Sequence, residues 1–84
     1  MSADEHKFTL EITAYDNTGV IVRIAQVFAR RGHSIETLNV ERDDEHGALP
    51  KLYITAYGQK TRFDQIVAQI KKLIDIKSVR LIED

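Results

Sequence analysis

The spacing of apolar residues changes repeatedly along this chain, and the order of those changes leaves few folds open. From Lys7 to Tyr15, Phe8, Leu10, Ile12 and Ala14 alternate with Lys7, Thr9, Glu11, Thr13 and Tyr15. That period-two pattern predicts a strand with one buried face. After Asp16-Asn17-Thr18-Gly19, residues Ile21, Ile24, Ala25 and Phe28 recur at i, i+3, i+4 and i+7, which predicts a helix over about residues 18–31. Cap-competent side chains open it, Arg30 and Arg31 complement its C-terminal dipole, and Gly32 stops it. A second strand is expected from about His33 to Arg42. Ile35 is out of phase there with Leu38 and Val40, so the strand either bulges near Glu36-Thr37 or starts later. Asp43-Asp44-Glu45-His46-Gly47 reads as a solvated turn into a third strand, where Leu52, Ile54 and Ala56 alternate with Lys51, Tyr53, Thr55 and Tyr57. Past Gly58, one stripe of Phe63, Ile66, Val67, Ile70, Leu73 and Ile74 lies opposite Arg62, Gln65, Gln69, Lys71 and Lys72, and predicts a second helix. A short strand over about Lys77 to Ile82 ends the chain.

The order βαββαβ, with two right-handed crossovers around one hairpin, predicts an α+β ferredoxin-like sandwich. Four antiparallel strands in the order 4-1-3-2 carry both helices on one face. Strands 2 and 4 become edges and the other face stays uncovered. A chain of 84 residues makes one domain, expected over residues 7–84 after a polar tail at 1–6, and buries only about 60–65% of its unfolded surface. Pairing with a second copy through an edge is the expected remedy. The absence of cysteine removes disulfides, thiolate metal sites and thiol nucleophiles. A net charge of −1 with dispersed Lys and Arg gives no footprint for nucleic acid or anionic membranes. No apolar run approaches the roughly 20 residues of a membrane span, and the polar, acidic start does not resemble a signal peptide, so a cytoplasmic location is expected.

No catalytic constellation is legible. His6, His33 and His46 share no ligand spacing, and solvated or capping roles are expected for them; Asp43, Asp44 and Glu45 lack the spacing of a calcium loop. There is no Gly-rich phosphate motif. Tyr15, Tyr53 and Tyr57 have outward parity on the strands where RNA-recognition modules of this architecture stack bases. Glu11 on that face and the run from Gly47 to Ile54 argue against that use. One arrangement carries chemistry. Asp16-Asn17-Thr18-Gly19 leads from a central strand into a helix start, where unpaired N–H groups and the dipole favour an anion. Gly19 lacks the Cβ that would hold a carboxylate away from the amides of Gly19, Val20 and Ile21, and Asp16 suits an ammonium group. A zwitterionic amino acid matches both charges; simple helix capping by Asp16, Asn17 or Thr18 is the alternative.

The stretch from Asp16 to Ile24, then Phe28-Ala29-Arg30-Arg31-Gly32-His33-Ser34-Ile35-Glu36-Thr37-Leu38, resembles an ACT domain. More narrowly it is similar to the small regulatory subunit of acetolactate synthase (acetohydroxyacid synthase), whose pattern runs N-x-P-G-x-L-x-R-V and then F-x-x-R-G-x-N-I-E-S-L. Lys72-Leu73-Ile74-Asp75-Ile76-Lys77-Ser78-Val79 resembles that family's segment at the end of helix 2. The resemblance implies a non-catalytic subunit with no cofactor of its own. It implies a homodimer formed through strand 2, a thiamine-diphosphate-dependent catalytic partner, and feedback by valine or another branched-chain amino acid. It places Asp16, Asn17, Thr18, Gly19, Val20 and Ile21 on one wall of the effector site, and Ser34 and Ile35 of the other copy on the second. Asp16 and Ser34 stand where the family pattern has asparagine, which leaves the effector's identity open. The length fits one domain without the second domain of longer regulatory subunits, from which weaker feedback is expected. An ACT interaction module without a ligand, and the ACT domain of a stringent-response synthetase/hydrolase, are the alternatives.

Overall fold

A computed structural model describes residues 6–15, 17–43 and 45–83, except the side chain of Asn17. The tail before His6, and Asp16 and Asp44, lie outside the described residues. The elements are β1 (His6–Ala14), α1 (Asn17–Arg30), β2 (Thr37–Asp43), β3 (Ala48–Gly58), α2 (Lys60–Lys71) and β4 (Ile76–Glu83). The strands form one antiparallel sheet in the order β2-β3-β1-β4, the ferredoxin-like arrangement that the sequence predicts.

Register explains the two-sidedness of the sheet. Leu10 stands opposite both Ile54 and Leu81, and Ile54 stands opposite Leu38, so the alternating apolar sets of all four strands share one face. Phe8, Leu10, Ile12, Ala14, Leu52, Ile54 and Ala56 are fully buried there beneath Val20, Ile24 and Phe28 of α1 and Phe63, Ile66 and Ile70 of α2. Phe8 and Phe63 stack with ring centroids 4.4 Å apart. His33 closes one end of this core. Its ring meets Phe63 edge-on at 4.9 Å, and its Nε2 lies 2.8 Å from the Tyr57 carbonyl. Gly58 is there because the ring is: a Cβ at that position would lie 2.6 Å from His33 Cε1 and 3.1 Å from Phe63 Cε2.

Several boundaries differ from the periodicity, each for a visible reason. β1 includes His6 and ends at Ala14, because the Tyr15 N–H turns away to donate to the Asp75 carbonyl at 2.8 Å. In α1 the buried stripe is Val20, Ile24 and Phe28, with Ile21 and Val27 half-buried, while Ala25 is exposed. Contacts from Arg23 to Asp75 and from Arg31 to Gln65 hold the helix in that rotation. β2 takes the later start at Thr37, and the irregularity in its ladder falls at the other end, between Glu41 and Asp43. Pro50 sits inside β3 at that gap. β1 has stopped pairing at Lys51, and the β2 register jumps from Lys51 to Ala48, so the missing proline N–H interrupts no ladder bond. α2 stops at Lys71, and the turn that follows leaves Ile74 84% exposed. The apolar stripe expected through Ile74 is thus shorter in the folded chain.

Candidate effector site

α1 begins where the Tyr15–Asp75 backbone bond ends the central strand, so the first turn of the helix opens at one end of the sandwich. Asp16, expected to receive an ammonium group, and the Asn17 side chain fall outside the described residues. Thr18 is exposed, Gly19 and Ile21 are half-exposed, and Val20 is wholly buried. The Val20 side chain therefore anchors the helix in the core. Because α1 starts at Asn17, one residue earlier than the periodicity predicts, the amides free of the helix ladder end at Gly19, and those of Val20 and Ile21 bond within the helix.

Gly19 is the informative position. Among the described residues, a Cβ built there meets nothing within 4 Å beyond its chain neighbours and its own helix backbone, and its backbone is not among the left-handed glycines, Gly32 and Gly47. Glycine inside a helix is less stable than alanine by roughly 0.5–1 kcal/mol. Neither its backbone geometry nor any contact among the described residues calls for that loss. Among the described residues nothing fills the space beside Gly19.

Ser34 is exposed and Ile35 half-buried, beyond the opposite end of α1. The 14 residues of the helix rise about 1.5 Å each, so about 20 Å separates the two expected walls. One chain does not bring them together. The register identifies the ends: α1 starts beside Thr13, Lys51 and Glu41, which is the end of β2, whereas Ser34 and Ile35 precede the start of β2 beside Thr55.

The β2 edge carries exposed apolar side chains on one of its faces. All seven of its residues are exposed. Leu38 and Val40, 39% and 37% exposed, point to the helix side of the sheet, opposite buried Ile54 and Leu52. The flank of α1 that carries Arg23 and Arg31 faces α2, as their contacts show, so Ile21 and Ala25 on the other flank lie toward the β2 edge. Together they form a strip of uncovered apolar surface.

The open face of the sheet is different. Glu11 lies at its centre between Arg80 at 3.2 Å and Lys51 at 3.9 Å. Tyr53 beside it titrates above the ordinary tyrosine value, because of burial first and then the carboxylates of Glu41 and Glu11, with Arg80 opposing. Only Tyr53 and Tyr57 of the three tyrosines belong to this sheet, and Glu11, paired with Arg80 and Lys51, takes up the positive charge that a nucleic-acid backbone would need. His46 takes a turn role, its Nδ1 2.9 Å from Asp43 Oδ1. Among the described residues no cluster of His, Asp and Glu could hold a metal ion, and no helix is long and apolar enough to cross a membrane. What the sequence reading missed lies at the far end of α1, where Arg30 and Arg31 meet Arg62 from α2. The pair Arg30-Arg31 was its only signal, and dipole complementation already accounted for that.

Residues 10–78 match the family described as AHAS small subunit-like ACT domain. The acetolactate synthase small subunit of Mycobacterium avium is 32% identical over 84 residues, covering 100% of this chain and 48% of that protein. The corresponding subunit of Buchnera aphidicola is 33% identical over 75 residues, covering 89% of this chain and 46% of that protein. The chain thus spans about half the length of the curated relatives it matches. Among solved structures, the acetolactate synthase small subunit of Thermotoga maritima superposes with a TM-score of 0.74 at 28% identity, over 89% of this chain and 46% of that one. The ACT domain of GTP pyrophosphokinase from Chlorobium tepidum gives 0.75 at 12% identity, over 96% and 90%, a likeness of fold alone.

Proposed function

This chain belongs to the AHAS small subunit-like ACT domain family, and from that membership we propose that it is a non-catalytic regulatory element of acetolactate synthase, acting in the cytoplasm. It binds a small branched-chain amino acid, valine or one like it, between two copies of itself, and modulates a catalytic subunit that carries the thiamine diphosphate. The observation that carries this reading is the open glycine at the start of α1, on a fold that cannot complete the site alone.

A two-fold pairing of β2 edges supplies what is missing. Antiparallel pairing sets the start of one β2 against the end of the other, so Ser34 and Ile35 of the second copy arrive at the start of α1 in the first. The same pairing joins two four-stranded sheets into one and covers Leu38, Val40, Ile21 and Ala25. The effector's carboxylate then accepts from the free N–H groups of the first turn of α1, of which Gly19 supplies the last, at the positive end of the helix dipole, with Val20 and Ile21 following it in the helix. Asp16, with Asn17 and Thr18 beside it, receives the ammonium group, and Ile35 of the second copy meets the aliphatic side chain. An effector held by both copies favours one dimer geometry, and a bias of about 1–3 kcal/mol passes to the catalytic subunit.

Thermal melts at fixed protein concentration with valine, leucine, isoleucine and unrelated amino acids test the site: a shift is expected for branched-chain effectors only. Failure of all of them removes the effector. Activity of a co-purified acetolactate synthase catalytic subunit with and without this chain tests the partner, and no change in activity removes that assignment. Ile74, exposed at the tip of the α2–β4 turn, favours the second reading, a docking module without a ligand, in which the activity changes and no melt does.

A further inference from the structure

The groove between the helices, at the end remote from Gly19, is lined by Arg30, Arg31, His33, Arg62, Gln65 and Ile66 and encloses about 340 Å³. A second cavity of about 430 Å³ shares His33 and Arg62 with it. Both volumes fall in the range of roughly 300–1,000 Å³ typical of ligand clefts. The chain as a whole carries a net charge of −1, yet three of its arginines converge on this groove. Arg31 donates to the Gln65 Oε1 at 2.8 Å, which leaves the Gln65 amide N–H groups free to donate. Among the described residues Arg30 and Arg62 have no carboxylate partner, whereas the nearby Lys60 is paired with Asp64 at 3.1 Å. Glu36 lines the adjoining cavity only.

Arg62 is placed against the local electrostatics. It stands in the first turn of α2, which holds no acidic residue, where the dipole disfavours a cation. Arg30, by contrast, complements the end of α1. A groove whose polar side chains are guanidiniums, an oriented amide and an imidazole offers donors and positive charge, and guanidinium forks match the oxygens of a phosphate bidentately.

We propose that this groove is an anion site that takes the phosphate group of a small phosphorylated metabolite, a second effector site separate from the amino-acid site. It lies on the flank of α1 that faces α2, away from the β2 edge, so dimerisation through β2 leaves it open.

Titration of the full chain with sodium phosphate, and separately with pyrophosphate, at constant ionic strength tests the site by amide NMR. Saturable shifts are expected at residues 30–33 and 59–66 with at least one of the two anions. Arg30→Gln together with Arg62→Gln is expected to weaken binding by at least about tenfold, and Arg62→Gln alone to weaken it in the same direction. Both side chains are exposed and pair with no described group, so the fold is expected to persist. Lys77→Gln on β4 removes the same charge elsewhere and leaves binding unchanged. Shifts that fail to saturate with both anions, spread to basic residues outside the groove, or survive Arg30→Gln with Arg62→Gln overturn the site. Gly19→Ala leaves this titration intact, so loss of the phosphate response and loss of the amino-acid response are read independently.

Discussion

Replacing Gly19 by alanine separates the demands of the fold from those of the effector, because the two predict opposite signs. The added methyl meets no other element within 4 Å among the described residues, so the chain gains helix propensity and loses unfolded-state freedom without strain. Glycine's disadvantage inside a helix is about 0.5–1 kcal/mol, and position 19 lies in the first turn of α1, Asn17–Arg30, where the smaller value applies. For a domain of 60–100 residues, 1 kcal/mol moves the midpoint by about 4–8 °C. The variant is therefore expected to melt about 2–4 °C above the parent without ligand. With valine the order reverses in effect. A carboxylate accepting from the amides at the helix start needs oxygen within about 3 Å of nitrogen, and the methyl stands in its approach. An effector at 100 times its Kd stabilises the parent by about 2.7 kcal/mol, and that increment is expected to vanish in Gly19→Ala. Differential scanning calorimetry of both chains at one concentration, with and without valine, reads both effects. A lower midpoint for unliganded Gly19→Ala refutes the claim that this glycine serves nothing in the fold, and an undiminished valine shift refutes the site.

Three further perturbations address the rest of the molecule. Gly58→Ala, unlike Gly19→Ala, forces a Cβ to 2.6 Å from His33 Cε1 and is expected to destabilise the chain by about 1–3 kcal/mol in urea unfolding. Val40→Lys puts a charge on the exposed edge strand, where surface substitutions change intrinsic stability by only about 0.5 kcal/mol. Sedimentation is expected to show the dimer dissociating to a folded monomer, and an unchanged dimer contradicts pairing through β2. Tyr53 holds its proton more tightly in the native state than in the unfolded chain, because of burial and the Glu41 and Glu11 carboxylates. Its contribution is fully present below the ordinary value of 10.0 and is lost as pH rises through the higher native value. Tyr53→Phe is expected to flatten the alkaline limb of the stability–pH curve, measured by denaturant midpoints; a limb of unchanged steepness assigns it to other groups.

Local sequence determined the order of the elements, the inward set of each central strand and the strand order of the sheet. A period of two or of one helical turn says which residues share a face, and two right-handed crossovers around a hairpin then leave one sheet arrangement. The passage from β1 into α1 was legible to within a residue for the same reason, since the change of period falls within a few positions.

Tertiary structure decided what depends on residues far apart in the chain. Ile21, Ile24, Ala25 and Phe28 fit a helical stripe equally well, but contacts from Arg23 and Arg31 to the α2 side turn Val20 inward and leave Ala25 out. Pro50 is tolerated in a strand only because β1 and β2 both fail to pair there, and Gly58 is required only because His33 arrives from the end of α1. Ser34 and Gly19, which the family resemblance places on walls from two different copies, stand at opposite ends of a helix about 20 Å long, so one chain cannot join them. Periodicity reports the neighbours a residue has along one element, whereas burial, close approach and the meeting of walls are set by which other element, or which other copy, packs against it.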